Sequence, residues 1–487
     1  MYHPPSKRKQ LVRQVAVYTA MSVTIIVAVT ALVFIMLGYD FNKKDGRIEQ
    51  GGLLQFVTSP SGAEVTVDGN MLGSQTPSKS TAFTGSHYVT MSKTGYKTWQ
   101  KSIDVLPGSI LWLNYARLIP TTLTQKTVAD FTTVSSTASS SDNKWLAVKE
   151  DPTTPAIKLV NINSDATPVT TLNLPATTYT PPTTDKGQSF FIENWDQASR
   201  YIIVKHVYDT SKIEWLVVDS QDVTKTKNIT LLLGIDASKV VFSKLNNRVV
   251  FAQIGADVRQ IDLDAETLSR PLISNVAEFS LSDSSTITYV TNYDTEKKIR
   301  SVGYYQIGAD KPYILRNFNE GVLPLHVAIA SYFNENYITI TYGDSVDIFK
   351  GSLPKVAIES SDLSTVASFK LEGGAQWLKI ENSGRFVVMQ NGGVYSVYDL
   401  ELNKLTTTTV KSDTAISKEL PWLDGYTVWN DTNGTVRLYE FDGSNQQDIM
   451  SVVPGLSVTL NPNGSYVYGF NKNAAGAYEL QRTKLIL

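Results

Sequence analysis

The residues that most often carry chemistry in enzymes are sparse in this chain. It contains 0 cysteines among 487 residues, which excludes disulfides, thiol nucleophiles and thiolate metal sites. Its histidines are too widely separated to predict a histidine-rich metal site or a shared catalytic base, and they are His3, His87, His206 and His326. Carboxylates are abundant, with 46 Asp and Glu, so folding could bring together a pair of the kind that glycosidases use.

Local sequence motifs give no further support for catalysis. The chain has no Gly-x-Ser-x-Gly elbow, no His-Glu-x-x-His zinc helix and no Walker-type glycine loop. Asp262–Glu266 is rich in carboxylates, and we interpret it as a solvated turn rather than a calcium site. Asp424–Trp429 resembles the Asp box of sialidases, but its spacing differs and it occurs once. We predict no catalytic, cofactor-binding or metal-binding residue and no cofactor, and no ligand-binding residue is assigned.

Asn-x-Ser/Thr sequons would matter only in a eukaryotic secretory pathway. They begin at Asn228, Asn430, Asn433 and Asn463. Because the chain is rich in Thr and Ser, we interpret these sequons as chance occurrences.

The composition indicates a folded, strand-rich protein with two or more domains. Hydrophobic residues make up 42% and charged residues 18%, values typical of globular domains. The length exceeds that of one ordinary domain, and Tyr, Thr, Val and Ile recur after residue 50, which favours strands. The formal net charge of −2 provides no basic excess, so we do not expect nucleic-acid binding.

One uncharged stretch is long enough to cross a membrane. No charged residue lies between Arg13 and Asp40, and about 20 apolar residues suffice to span a bilayer. A cleavable signal peptide would have a shorter apolar region followed by a small-x-small site, which is absent here. A buried helix of a soluble core is the structural alternative. We predict a short basic tail at residues 1–13 and an uncleaved transmembrane helix at residues 14–39.

The orientation of this span is predicted from the basic residues beside it. Those before the span are Lys7, Arg8, Lys9 and Arg13, and those after it are Lys43, Lys44 and Arg47. The difference is small, but no second hydrophobic span follows, so the remaining chain lies on one side. We expect a cytoplasmic tail, a span in the plasma membrane, a linker at residues 40–51 and an extracytoplasmic body.

The stretch Thr58–Lys79, TSPSGAEVTVDGNMLGSQTPSK, has the pattern of a small β module. Ala63–Val67 alternates small or apolar residues with polar ones, as a strand with one buried face does. Asp68 and Gly69 predict a tight hairpin, because both central positions of such a turn need positive φ. Gly95 marks a further predicted turn.

The ordered motifs of this region resemble the PEGA domain family. They are Pro60-Ser61-Gly62-Ala63, Val67-Asp68-Gly69, Gly73, Thr76-Pro77, Gly85–Val89 and Lys93–Tyr96, with Ser61 in place of the usual Glu. The resemblance implies a small all-β module at residues 52–119, of a kind common in bacterial and archaeal envelope and surface proteins, without catalytic activity. His87 shares a strand face with Val89 and Met91, so we interpret it as a packed core residue rather than a ligand.

Residues 120–487 repeat a unit of short strands separated by polar turns. Four copies are SSSDNKWLAVKED, LNNRVVFAQIGADVRQIDLD, ENSGRFVVMQNGGVYSVYDLE and NPNGSYVYGFNKNAAGAYELQ, and four more centre on Tyr201–Val204, Thr286–Tyr289, Tyr337–Ile340 and Tyr426–Trp429. The spacing of roughly 40–55 residues is close to the blade length of propeller repeats. One sheet cannot bury both of its faces, whereas sheets stacked around an axis can.

The pattern therefore predicts an all-β body in which a β-propeller of about eight blades, with seven as the alternative, follows the PEGA module. The turns Glu381–Phe386 and Asn461–Tyr466 resemble those of WD-repeat-like and Tol-type propellers. A stack of β-sandwiches is the structural alternative. The last unit is one strand short and Thr121–Thr133 is surplus, so we predict that these ends pair and close the ring.

These features together predict a membrane-anchored, outward-facing binding or scaffolding protein of the cell envelope without a catalytic role. Its expected partners are the plasma membrane and an envelope protein or polysaccharide. The alternative is a propeller-type hydrolase acting on envelope polysaccharide. Two carboxylates about 5–10 Å apart in an axial cleft would favour the hydrolase, and exposed aromatic residues on a flat axial face would favour binding.

Overall fold

The computed structural model describes residues 7–42, 46–183, 186–282, 285–354 and 362–487. The chain divides into two compact units, one formed by residues 1–122 with 486–487 and the other by residues 123–485. The elements of the first unit are α1 (Lys7–Met36), β1 (Tyr39–Asn42), β2 (Arg47–Gln50), β3 (Gly52–Ser59), β4 (Glu64–Val67), β5 (Asn70–Met71), β6 (Ser78–Ala82), β7 (Gly85–Ser92), β8 (Trp99–Val105) and β9 (Ile110–Arg117).

Helix α1 is long and apolar enough to cross a membrane. Its apolar part, Gln10–Met36, has 27 residues, a mean hydropathy of 2.4 and no buried residue. At 1.5 Å per residue it extends for about 40 Å, more than the hydrocarbon core of a bilayer. The helix ends at Met36, and the segment predicted as a linker contains the antiparallel hairpin β1–β2.

The rest of the first unit is a small module of two sheets around one core. One sheet has the order β6-β3-β9, with β3 and β9 parallel, and the other has the order β5-β4-β7-β8. Alternate residues of β3 and β8 are buried, as the period of two along a strand requires. The core comprises Leu54, Phe56, Ala63, Val65, Val89, Met91, Tyr96, Trp99, Ile103, Val105, Leu111, Leu113, Ala116 and Leu118.

The predicted β4–β5 hairpin is present. Asp68 has a φ of +50° and Gly69 a φ of +80°, so both central residues of the turn are left-handed. Gly95 also has a positive φ, of +86°.

The second unit consists almost entirely of strands. Its first half contains β10 (Gln125–Phe131), β11 (Ser136–Ser139), β12 (Trp145–Lys149), β13 (Ala156–Asn161), β14 (Val169–Asn173), β15 (Gln188–Trp195), β16 (Tyr201–Tyr208), β17 (Lys212–Asp219), β18 (Lys227–Asn228), β19 (Ala237–Phe242), β20 (Val249–Ile254), β21 (Asp257–Asp262), β22 (Thr267–Leu268), β23 (Val276–Leu281), β24 (Thr286–Thr291), β25 (Arg300–Gln306) and β26 (Tyr313–Phe318). The short helix α2 (Ile229–Leu233) and the 3-10 helices Ala176–Thr178 and Val223–Lys225 lie between these strands.

The second half of this unit contains β27 (Leu325–Tyr332), β28 (Glu335–Tyr342), β29 (Ser345–Gly351), β30 (Ser364–Lys370), β31 (Trp377–Ile380), β32 (Phe386–Asn391), β33 (Val394–Asp399), β34 (Lys404–Thr409), β35 (Thr427–Asn430), β36 (Thr435–Glu440), β37 (Gln447–Ser451), β38 (Thr459–Leu460), β39 (Tyr466–Lys472) and β40 (Tyr478–Lys484).

Within the described part of the chain these strands form eight antiparallel sheets, which are the blades of a β-propeller. Blades 1 to 6 are β11–β14, β15–β18, β19–β22, β23–β26, β27–β30 and β31–β34. Blade 7 is β35–β37, with a first strand represented by the bridge between Trp422 and Val428. Blade 8 has the order β10-β40-β39-β38.

Neighbouring blades share their hydrophobic cores. Leu159 and Leu172 of blade 1 pack in one cluster with Phe190 and Ile192 of blade 2. Equivalent clusters join blades 2 and 3, 3 and 4, 4 and 5, and 5 and 6. Because each cluster needs both of its blades, no blade can bury its core without its neighbours.

The predicted closure of the ring by its own ends is confirmed. Strand β10 pairs antiparallel with β40, from Gln125 opposite Thr483 to Phe131 opposite Tyr478. Phe131 and Phe470 then pack against apolar residues of blade 1, with their ring centroids 5.8 Å apart. The N-terminal strand of the propeller thus provides the outermost strand of the last blade.

Candidate functional site

The candidate site is a cavity of about 330 Å³ in the axial channel of the propeller. First strands of neighbouring blades contact each other, as β11 does with β15 and β27 with β31, so these strands surround the axis. Strands β19, β23, β27 and β31 line the cavity, and Glu419 adds a side chain just before blade 7. Four consecutive blades and the segment that leads into blade 7 therefore build one wall.

Basic side chains lie beside acidic ones at two places along this wall. Nδ1 of His326 lies 3.5 Å from Oε2 of Glu278, and Nζ of Lys379 lies 3.2 Å from Oε1 of Glu419. Trp377, half-buried, lines the same cavity. The His326–Glu278 pair joins blades 5 and 4, and the Lys379–Glu419 pair joins blade 6 to the segment before blade 7.

Two further lysines reach across from blade 3 to blade 4. Nζ of Lys239 donates to the carbonyl oxygen of Phe279 at 2.8 Å, and Nζ of Lys244 donates to that of Ser282 at 3.1 Å. Lys239 and Glu278 stand at equivalent positions of β19 and β23, directly after a β-bulge in each strand. The bulges help to direct these charged side chains toward the channel.

The surroundings of the channel perturb two of these charges. Burial lowers the pKa of Lys239, and the nearby Glu278 offsets part of this effect. The contact with His326, supported by the charges of His326, Lys239 and Arg300, lowers the pKa of Glu278, although desolvation in the channel acts in the opposite direction. Glu278 is therefore ionised at neutral pH.

Glu278 does not have the property expected of a glycosidase acid. Glu278 and Glu419 each lie beside a basic side chain. A glycosidase acid needs a raised pKa, whereas the pKa of Glu278 is lowered. The lining therefore suits ion pairing and aromatic stacking better than proton donation.

The histidines singled out in the sequence have different surroundings. His87 contacts Asp68 at 2.6 Å and the carbonyl oxygen of Phe83 at 2.8 Å, so it supports the β4–β5 turn. His206 is fully buried, 2.7 Å from Glu214, and stacks on Phe190. His3 lies outside the described residues. His326 is the histidine that the propeller places in the channel.

The carboxylate-rich segments form turns. Oδ1 of Asp262 accepts hydrogen bonds from the backbone N–H groups of Asp264 and Ala265, and Oδ1 of Asp424 accepts from those of Tyr426 and Thr427. Both are ordinary Asx turns. No group of three or more metal-ligating side chains is found among the described residues.

The sequons occupy varied environments. Asn430 is buried, whereas Asn463 is exposed and accepts a hydrogen bond from the backbone N–H of Ser465. The side chain of Asn228 caps the N-terminus of α2, and Asn433 accepts from the backbone N–H of Asp413.

Sequence reasoning did not identify the channel residues. Glu278 and His326 are 48 positions apart, and neither of their strands contains another charged residue or histidine. A charged residue at the same place in consecutive repeats, as at Lys239 and Glu278, is the signal that could have revealed them.

Comparison with family models identifies the small module of the first unit. Residues 52–118 match the PEGA domain. The match covers the two sheets around the Leu54–Leu118 core, and the resemblance seen in the sequence is thereby supported. No curated protein matches the chain.

Several solved structures are similar to the propeller. The Cps50 (Swd1) β-propeller domain of Myceliophteria thermophila is 9% identical, covering 73% of this chain and 98% of that chain, with a TM-score of 0.37. A chain of the yeast heterotrimeric Nup82-Nup159-Nup116 nucleoporin complex is 10% identical, covering 65% and 97%, with a TM-score of 0.41. Oligogalacturonate lyase from Vibrio parahaemolyticus is 11% identical, covering 74% and 97%, with a TM-score of 0.38. The strand pairing of the eight blades, rather than these likenesses, defines the fold.

Proposed function

We propose that this protein is an envelope binding or scaffolding protein, anchored in the plasma membrane by α1. Its tail is cytoplasmic, and the PEGA domain and propeller lie outside. The PEGA domain acts as a folded spacer, and the propeller binds an envelope protein or polysaccharide at the axial channel. The observation that carries the proposal is the set of paired basic and acidic side chains along the channel wall, His326 with Glu278 and Lys379 with Glu419.

Binding is favoured over hydrolysis by the ionised state of Glu278. A ligand with charged groups can exchange ion pairs with a wall of this kind, and the ring of Trp377 offers a stacking surface. Hydrolysis would require one carboxyl group to hold a proton near neutral pH, which the lowered pKa of Glu278 opposes.

Site-specific crosslinking tests the binding role. A photoreactive phenylalanine in place of Trp377 should capture one envelope component in intact cells. In the same chain, Lys379→Glu would place a second carboxylate beside Glu419. This change should lower the yield of crosslinked product on the order of tenfold. Lys350→Glu is the matched control, because Lys350 is similarly exposed and has an acidic neighbour, Glu335, at 3.9 Å on an outer face of blade 5. Equal yields in both variants would contradict binding in the channel.

Release of reducing ends from envelope polysaccharide tests the hydrolase alternative. The full chain should release none. Release that is lost in Glu278→Gln or Glu419→Gln would replace the binding proposal with the hydrolase.

The absence of cysteine makes the topology directly testable. A single cysteine at Val322, which is 88% exposed, should react with a membrane-impermeant maleimide on intact cells. A cysteine at Ser6, in the basic tail, should react only after lysis. The reverse pattern would invert the proposed orientation.

A further inference from the structure

The apolar surface of α1 continues past the end of the helix onto one end of the PEGA domain. We infer that this end of the PEGA domain rests in the headgroup layer of the bilayer that α1 crosses. We call the residues concerned the collar, and they are Ile48, Leu106, Ile110 and Trp112. The inference rests on the proposed anchoring by α1, and its occupant is a lipid surface.

Backbone hydrogen bonds tie the PEGA domain to the end of the helix. The N–H of Gly51 donates to the carbonyl oxygen of Gly38 at 2.9 Å, and the N–H of Gly108 donates to that of Gly51 at 3.0 Å. Nε2 of Gln50 also donates to the carbonyl oxygen of Leu37 at 3.0 Å. Two successive backbone hydrogen bonds therefore connect the end of the span to the β8–β9 turn.

The packing around Gly51 and Gly52, beside these hydrogen bonds, is too close to admit a side chain. A Cβ at Gly51 would lie 2.5 Å from the carbonyl oxygen of Ala82, and one at Gly108 would lie 2.8 Å from Nε2 of Gln50. A Cβ at Gly52 would lie 2.6 Å from Cγ1 of Val105. The β8–β9 turn cannot move away from the end of the span without breaking the Gly108–Gly51 and Gly51–Gly38 hydrogen bonds.

The side chains at this end are large, apolar and exposed. Leu106 and Ile110 flank the β8–β9 turn, and Trp112 lies on the same outer face of β9 as Ile110. The exposed fractions are 66% for Ile48, 58% for Leu106, 52% for Ile110 and 45% for Trp112. A cluster of this kind beside a span matches the surface that proteins present to a membrane interface.

The dimensions of a bilayer agree with this placement. The uncharged run ends at Asp40, so the hydrocarbon boundary lies near the end of α1. Each headgroup layer is about 5–8 Å thick, and two residues along β9 rise about 7 Å. A strand that runs along the membrane normal would carry Ile110 and Trp112 through this layer, and tryptophan is a residue that this layer favours. The next exposed residue on that face is the polar Asn114.

Single-cysteine labelling of the full chain tests the inference. The chain is reconstituted in vesicles of phosphatidylcholine with a minority of phosphatidylglycerol, and an environment-sensitive fluorophore is attached at one position. The positions are Leu106→Cys and Ile110→Cys in the collar, Val33→Cys in α1, and Ser61→Cys as the matched control. Ser61 is exposed and follows the far end of β3, about 25 Å from the collar.

The collar labels should be quenched by a spin label at headgroup depth and protected from an aqueous quencher. The Ser61 label should show the opposite behaviour, and the Val33 label should be quenched by a spin label on the acyl chain. Collar labels that behave like the Ser61 label, with the Val33 label still quenched, would overturn the collar and leave the anchor intact. An unquenched Val33 label would overturn the anchor and the collar together.

A charge substitution provides a second measurement, in which the label is on Ile48 and not at the β8–β9 turn. In the Ile48→Cys chain, the double change Leu106→Asp and Ile110→Asp should abolish headgroup quenching of the label. Tyr88→Asp, an exposed site on the other sheet of the PEGA domain, should leave the quenching unchanged. Unchanged quenching in the double variant would contradict a contact that depends on the collar.

Discussion

At the scale of single residues, Gly69 isolates the contribution of backbone conformation to the PEGA domain. Its φ is +80°, and a Cβ there would meet no atom within 4 Å. Gly69→Val should therefore destabilise the domain through strain alone, by about 1–2 kcal/mol. Faster hydrogen exchange across β4, β5 and β7 in the full chain would report this loss.

Gly73→Val is the control for this substitution. Gly73 also has open surroundings, but its φ is not positive. Exchange in the Gly73 variant should match that of the parent chain. Equal exchange in both variants would contradict the assigned strain at the turn.

Lys149 gives the propeller a pH dependence that can be traced to one residue. It is fully buried in blade 1, where Nζ donates to the carbonyl oxygens of Ala156, at 2.7 Å, and Thr154. Burial lowers the pKa of Lys149 from 10.5 to about 8. Between these values the unfolded chain binds more protons than the native one, so the free energy of unfolding contributed by Lys149 rises with pH.

Urea unfolding of the parent and Lys149→Met chains across this pH window checks the prediction. The free energy of unfolding of the parent should rise relative to that of Lys149→Met between about pH 8 and 10.5. The reason is that the cost of burying the charge in the parent falls as pH rises. Lys158→Met, which removes an ion pair with Glu150 at 2.6 Å, should retain the rise. Parallel pH profiles for the parent and Lys149→Met would contradict the prediction.

At the scale of elements, the closing strand β10 has an unfavourable charge pattern. Lys126 lies opposite Arg482, and Asp130 lies opposite Glu479. Like charges directly across a sheet are destabilising. Apolar packing, the hydrogen-bond ladder and side-chain contacts such as that of Thr127 with Glu479, at 2.8 Å, hold the closure together.

A cysteine pair tests the register of this closure. Opposite residues in antiparallel strands have Cα atoms about 4.5–5.5 Å apart, within reach of a disulfide. Asp130→Cys with Glu479→Cys should therefore oxidise fully in the native chain and raise the unfolding midpoint. Asp130→Cys with Gln481→Cys, a diagonal pair, should oxidise poorly. Similar oxidation of both pairs would contradict the register.

The sequence predicted some strands of each blade much better than others. The eight predicted centres all fall in the second strands of the blades, such as β16 and β32, which are buried on both faces and so have continuous apolar runs. Outer strands such as β34, KLTTTT, are half exposed and carry little apolar signal. Their pairing is decided by the neighbouring strand, which a local pattern does not reveal.

The candidate site depends on the ring more than on any local pattern. Glu278 and His326 come together because β23 and β27 are the first strands of adjacent blades. The turns of the PEGA domain, in contrast, depend on local sequence. The tight turn between β4 and β5 could therefore be predicted from Asp68 and Gly69 alone.

At the scale of the whole molecule, the shared cores make the propeller one cooperative body. Five hydrophobic clusters join successive blades from blade 1 to blade 6, and the cluster around Phe131 and Phe470 extends from blade 8 to blade 1. Opening the ring at this point exposes a sheet face on both blades and a bare strand edge on β40.

Removal of either closing end should therefore unfold the propeller as a whole. Deletion of Thr121–Thr133 removes β10, and truncation after Ala475 removes β40. Both chains should aggregate or lose their cooperative thermal transition, measured by circular dichroism and size-exclusion chromatography in detergent. Insertion of a Gly-Ser pair in the exposed turn between β25 and β26 is the control, since it lengthens the chain without removing a shared core, and its transition should match that of the parent. A monodisperse deletion variant with the transition of the parent would mean that the remaining blades bury their cores without the closing strands, contrary to the clusters that join them.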